Sequence, residues 1–116
     1  MKKLEKFYIA DFISATKLKE NRPYSDWRKN KYLNHQGLFL LVFDSKRNIK
    51  YVVFYIINND KEVLYTQGLI SSQVHEFIED LDNSKIIVRT KRSEYFFCNV
   101  TEDVPNEYIF NIPRLL

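Results

Sequence analysis

The sequence predicts an α+β domain: a mostly antiparallel sheet of about six strands, one clear helix over 72–82 and one short N-terminal helix over 26–34. Three observations point there. The chain has 116 residues, which suits a single domain spanning 1–116. Beyond residue 37, short runs rich in Val, Ile, Tyr and Phe alternate with clusters of turn residues, as strands joined by hairpins do. One segment, Ser72 to Asp82, carries an apolar stripe at helical spacing over two turns. With 45% hydrophobic residues and a net charge of +3, the chain is too apolar and too weakly charged for disorder. A mass of 14.0 kDa allows enough burial to dispense with a disulfide or metal staple.

The first segment fits two periods. Phe7, Ile9 and Ile13 share one side of a strand, whereas Leu4, Tyr8, Phe12 and Ala15 recur at helical spacing; the reading taken is a strand near 6–13 followed by a helical turn at 14–20. Pro23 holds Arg22 extended or in a turn. Ser25 reads as an N-cap and Asp26 as a first-turn acid for the helix that runs to Asn34, with Gly37 closing the unit. Then come the runs 38–43, 49–57 and 62–67, separated by Asp44-Ser45-Lys46-Arg47-Asn48 and Asn58-Asn59-Asp60-Lys61. They make a three-stranded antiparallel meander. The first two runs are apolar on both faces, so they belong in the sheet centre with cover on each side.

Ser71 or Ser72 caps the clear helix, in which Val74, Phe77, Ile78 and Leu81 face inward and Glu76, Glu79 and Asp80 outward. Three further strands are placed at 85–90, 94–100 and 107–112. Pro113 ends the last, which belongs at a sheet edge, and such an edge offers a pairing surface for a homodimer.

Several function classes are absent. The single cysteine, Cys98, excludes an intramolecular disulfide, and its apolar surroundings read as those of a buried structural thiol. No apolar run approaches the ~20 residues of a membrane helix. Met1-Lys2-Lys3 resembles a secretory n-region, but Asp11 interrupts the apolar stretch behind it and no small-residue cleavage site appears. A cytoplasmic protein without a membrane partner is expected. No metal, phosphate-loop or acyl-enzyme motif is complete: Ser14-Ala15-Thr16-Lys17 lacks its companion elements, and His75-Glu76 lacks a second histidine four residues on. No cofactor, metal or catalytic residue is therefore assigned. Asp44, Asp60 and Glu62 are the carboxylates that would have to converge in a metal-dependent nuclease.

The charge is uneven. Residues 1–37 carry a net +5 and residues 38–116 a net −2. Within 17–36 the cations Lys17, Lys19, Arg22, Arg28, Lys29 and Lys31 interleave with Tyr24, Trp27 and Tyr32. Cations neutralise phosphates, and rings stack on unpaired bases or anchor protein interfaces. The binding residues assigned are Arg22, Tyr24, Trp27, Arg28, Lys29, Lys31 and Tyr32; the plainer alternative is that Trp27 anchors a helix amid solvated cations. A second basic spot lies at Arg89 to Arg92. The function expected is that of a small non-enzymatic protein occupying a nucleic acid or a nucleic-acid-bound protein. Phe, Tyr, Ile, Asn and Lys outnumber Gly, Ala, Arg and Pro, an AT-rich codon bias that suits an inhibitor of a host enzyme encoded by a phage or mobile element. The rival is a small metal-free ribonuclease of the toxin kind, drawing on Arg89, Lys91, Arg92, Tyr95 and His75.

Overall fold

Alternating apolar and polar residues govern most of this chain, and in the computed structural model they build one antiparallel sheet. The structure describes the backbone of residues 1–24 and 27–112, and the side chains of these residues other than Trp27 and Arg28. The strands are β1 (Lys2–Lys17), β2 (Arg22–Pro23), β3 (Gln36–Asp44), β4 (Ile49–Ile57), β5 (Val63–Ile70), β6 (Val74–Asp80), β7 (Lys85–Thr90) and β8 (Ser93–Thr101). Two short helices, α1 (Trp27–Asn30) and α2 (Asn106–Asn111), and a 3-10 turn at Leu81–Asn83 complete it.

The spatial order is β5-β4-β3-β1-β8-β7-β6, with β2 pairing on the end of β1. The two outermost strands, β5 and β6, are consecutive in sequence and only 71–73 separates them. Such a link spans about 15 Å at most, so the sheet must curl until its edges meet at one corner. Ser71 pins that corner: its backbone N–H donates to the Val52 carbonyl at 2.8 Å, and its hydroxyl accepts from the Val52 N–H at 2.8 Å. The result is an incompletely closed barrel.

Curling creates two cores. Inside, Phe12, Phe39, Phe54 and Phe97 are fully buried, and the Phe97 ring centroid lies 4.9 Å from that of Phe39 and 5.0 Å from that of Phe12. Outside, Leu38, Leu40, Val42, Val53, Tyr55 and Ile57 of β3 and β4 are covered by Val104, Tyr108 and Ile112. The two long apolar strands, β3 and β4, lie inside the sheet and are buried on both faces as expected, but the middle strand is β1 and β4 is next to the edge.

The α+β reading does not hold. Strand accounts for 61% of the described residues and helix for 11%, and eight strands replace six. The segment 72–82 is strand β6, not a helix. A bulge between Val74 and Glu76 adds one residue to the count, so Val74 and Phe77 both reach the inner core, with Leu81 behind them. Spacing of three residues is thus satisfied by a bulged strand as well as by a helical turn. Pairing with β7 decides the outcome, because β7 would otherwise be an edge with buried Ile86 and Val88.

The segment 107–112 is the reverse error: it is helix α2, so no edge strand exists there to pair a homodimer. Pro105 precedes it as N-cap, Glu107 lies in its first turn, and Tyr108, Ile109 and Ile112 meet the outer core at helical spacing. The helical turn expected at 14–20 is absent; β1 runs on through Lys17 with bulges near Asp11 and Ser14. The N-terminal helix 26–34 shrinks to α1, whose continuation is a string of tight turns. Tyr32 and Leu33 both reach the inner core and Asn34 has φ 63°, which a continuing helix would forbid. Ser25, Asp26 and Pro113 lie outside the described residues.

Candidate binding face

Register brings the two basic segments together. At the end of β1, Lys17 lies opposite Ser93 of β8 and opposite Arg22 of β2. The Leu18 N–H donates to the Arg92 carbonyl at 2.9 Å, which ties the turn after β1 to the tip of the β7–β8 hairpin. Tyr24 bridges the same two segments, its phenol sharing a hydrogen bond with the Ser93 hydroxyl.

Tyr24 is the centre of the cluster. The Lys29 Nζ sits 3.7 Å from its ring centroid and the Lys17 Nζ 5.3 Å away, positions favoured by the ring quadrupole. Two hollows adjoin at this residue. One, of about 470 Å³, is lined by Lys17, Lys19, Glu20, Tyr24 and Arg92. The other, of about 510 Å³, includes Tyr24, Lys29, Lys91, Arg92, Ile70 and Tyr95. Glu20 opposes the cations from within; it accepts from Arg22 and lies 4.0 Å from the Lys17 Nζ. The guanidinium of Arg22 holds the Glu20 carboxyl below its ordinary range. Lys19, Lys29, Lys91 and Arg92 have no ion-pair partner among the described residues.

The residues singled out from sequence are distributed unevenly. Arg22 is exposed on β2 and tied to Glu20. Tyr24 and Lys29 are in the cluster. Lys31 points to the β5 side, where it donates to Gln67. Tyr32 is buried in the inner core, and that burial raises its phenol pKa. The side chains of Trp27 and Arg28 lie outside the described residues. Lys91 and Arg92, the second basic spot, do join the first. Ile70 and Ser93 drew no notice in the sequence, because only strand register brings them to this face.

The described rings of this face hold cations or are buried rather than present open faces. An ammonium lies over Tyr24, and Tyr32 and Tyr95 are buried. The chemistry on offer is therefore anion binding by mobile ammonium and guanidinium groups.

No family model, curated protein or solved structure matches the chain. No helix among the described residues is long and apolar enough to cross a membrane.

Of the residues considered for catalysis, Lys91, Arg92 and Tyr95 line one hollow, while Arg89, His75 and the carboxylates lie apart from it. Arg89 is held between Glu76 at 2.6 Å and Glu94 at 2.8 Å. His75, the bulged residue of β6, lines neither hollow. Asp44 and Asp60 flank opposite ends of β4, about 25 Å apart by strand rise. Asp44 instead caps its own turn, accepting from the Lys46 N–H at 3.1 Å and from the Arg47 Nε at 2.8 Å. Cys98 is half-buried.

A second polar cluster closes the inner core near the start of β1. Glu79 of β6 accepts from the Tyr8 hydroxyl and from the Lys6 Nζ, both at 2.7 Å. Burial pushes the Glu79 carboxyl up, but these two donors outweigh it and hold the group below its ordinary range. Burial and the adjacent carboxylate push the Tyr8 phenol up strongly. This cluster bolts edge strand β6 to the middle of the sheet.

Proposed function

We propose that the protein is a non-enzymatic binding protein that occupies a nucleic acid, free or within a nucleoprotein, through the basic face around Tyr24. One observation carries this reading: Lys17, Lys19, Lys29, Lys91 and Arg92, drawn from three separate segments, converge on two adjoining hollows with Glu20 as their opposing carboxylate. Converging cations in concave surface raise local affinity for polyanions and release counterions when phosphates bind. Small size and AT-rich residue usage fit an inhibitor encoded by a phage or mobile element.

The test is fluorescence anisotropy with labelled RNA and DNA, for the native protein and for the K29E/K91E/R92E variant. The reading requires binding that weakens with salt, and a variant that binds at least tenfold more weakly with a flatter salt dependence. Unchanged binding by the variant would refute the assigned face. Retention of an acidic protein but not nucleic acid would transfer the face to a protein partner. Cleavage abolished by His75→Ala or Arg92→Ala would make the protein a ribonuclease.

A further inference from the structure

The hollow beside Tyr24 does not end at the barrel mouth. Ile70 and Ser72 line it, and the same two residues line a third hollow, of about 370 Å³, that holds Lys2, Arg47 and Tyr51. Three concavities are thus joined by shared walls: Tyr24 and Arg92 between the first two, Ile70 and Ser72 between the last two. Resting on the reading of the basic face as a nucleic-acid site, we infer that the site is a track for a single strand, running from Lys17 and Lys19 past Tyr24, over the β5–β6 corner, to Lys2 and Arg47.

Three features select a single strand over a duplex. The path turns a corner, because Tyr24 packs on the inner core whereas Tyr51 belongs to the outer one. A duplex, stiff over about 150 base pairs, resists such a bend, while an unpaired strand accommodates it. At the crest stands Ile70, 65% exposed between cations on either side; a base laid over it would remove its apolar surface from water while the phosphates reach the charges. Finally, the corner is rigid, since Ser71 is bonded to Val52 through both its N–H and its hydroxyl.

At the far end both cations are accessible. Lys2 has no ion-pair partner among the described residues, and Arg47 remains 62% exposed although its Nε is bonded to Asp44.

The experiment titrates the native protein with single-stranded oligonucleotides of about 4 to 16 nucleotides, the span of known single-strand sites, and with a duplex of matched sequence. K2Q/R47Q is titrated alongside, its fold checked by thermal melting. The track predicts affinity that climbs with length, tighter binding of the single strand than of the duplex, and native-like binding of the shortest oligomers by K2Q/R47Q. For the longest oligomers, the variant's slope of log K against log salt falls by about 1.4, at 0.7 per lost phosphate contact. Affinity that saturates at the shortest length, or a K2Q/R47Q variant indistinguishable from native on long oligomers, overturns the track but leaves the Tyr24 face standing. Preference for the duplex overturns the single-strand assignment. Failure of the native protein to bind any oligonucleotide removes both.

Discussion

Glu79 shows how a few polar atoms in this chain do structural work that the rings cannot. Its carboxylate ties Lys6 and Tyr8 of β1 to the outermost strand of the sheet. Tyr8→Phe keeps the buried ring and removes one donor, so it should cost about 1–2 kcal/mol in urea unfolding at neutral pH. The directions of the two shifts set the pH dependence. The folded-state carboxyl of Glu79 is held below its unfolded value, so its contribution is full above that value and is lost as pH falls through the folded one. The Tyr8 phenol is raised on folding, so its contribution is full below the ordinary tyrosine pKa of about 10 and fades as pH rises beyond it. Tyr8→Phe should therefore flatten the alkaline limb of the stability curve relative to the native protein.

A residue of a different kind is Gly37, buried where β3 meets β4. A Cβ there would overlap the Phe54 ring and the Tyr55 carbonyl oxygen. Gly37→Ala should destabilise by about 1–3 kcal/mol, as overpacking of a closed core does; a melting temperature equal to the native one would show that β3 and β4 lie farther apart.

Among the elements, β6 and α2 exchange the identities their sequences suggest, for the same physical reason. Val74, Phe77 and Leu81 satisfy a helical stripe and a bulged strand equally, and only the exposed flank of β7 breaks the tie. Tyr108 and Ile112 alternate as strand residues do, yet Pro105 and the uncovered outer face of β3 and β4 favour a helix. Amide hydrogen exchange separates the alternatives for β6. Paired on one side only, it should show alternating protected and fast amides across Val74–Asp80, whereas a helix would protect a continuous run. Strands β3 and β4 were legible because their composition admits nothing else: Leu38 to Phe43 and Tyr51 to Ile57 are apolar on both faces. The binding face was half legible. Charge runs flagged both basic segments, but their meeting depends on Lys17 opposing Ser93, a register that bulges in β1 set and no local pattern encodes. The burial of Tyr32 was hidden likewise, since a tyrosine among lysines reads as surface until the concave core beneath it is known.

For the molecule as a whole, the curled sheet explains why a chain this short needs cover on both sides. Tyr24, Tyr32 and Leu33 pack on the inner core, and α2 with Val104 covers the outer one. A chain ending at residue 103 would leave Leu38, Leu40, Val53 and Tyr55 uncovered. It should lose cooperative unfolding and bind a hydrophobic dye such as ANS; a sharp native-like transition would deny α2 that role.

Tyr24 packs on the inner core and also carries the Lys29 ammonium over its ring, so folding and the binding face share a residue. The salt dependence of single-stranded oligonucleotide binding measures that face most directly. For the native protein the slope of log K against log salt should lie at about −3.5 to −4.2, the value for about five or six phosphates at 0.7 each, and K29E/K91E/R92E should lower its magnitude by about 2 or more. A native slope near zero, or a slope that the triple charge reversal leaves unchanged, would contradict the assignment of this face to phosphate binding.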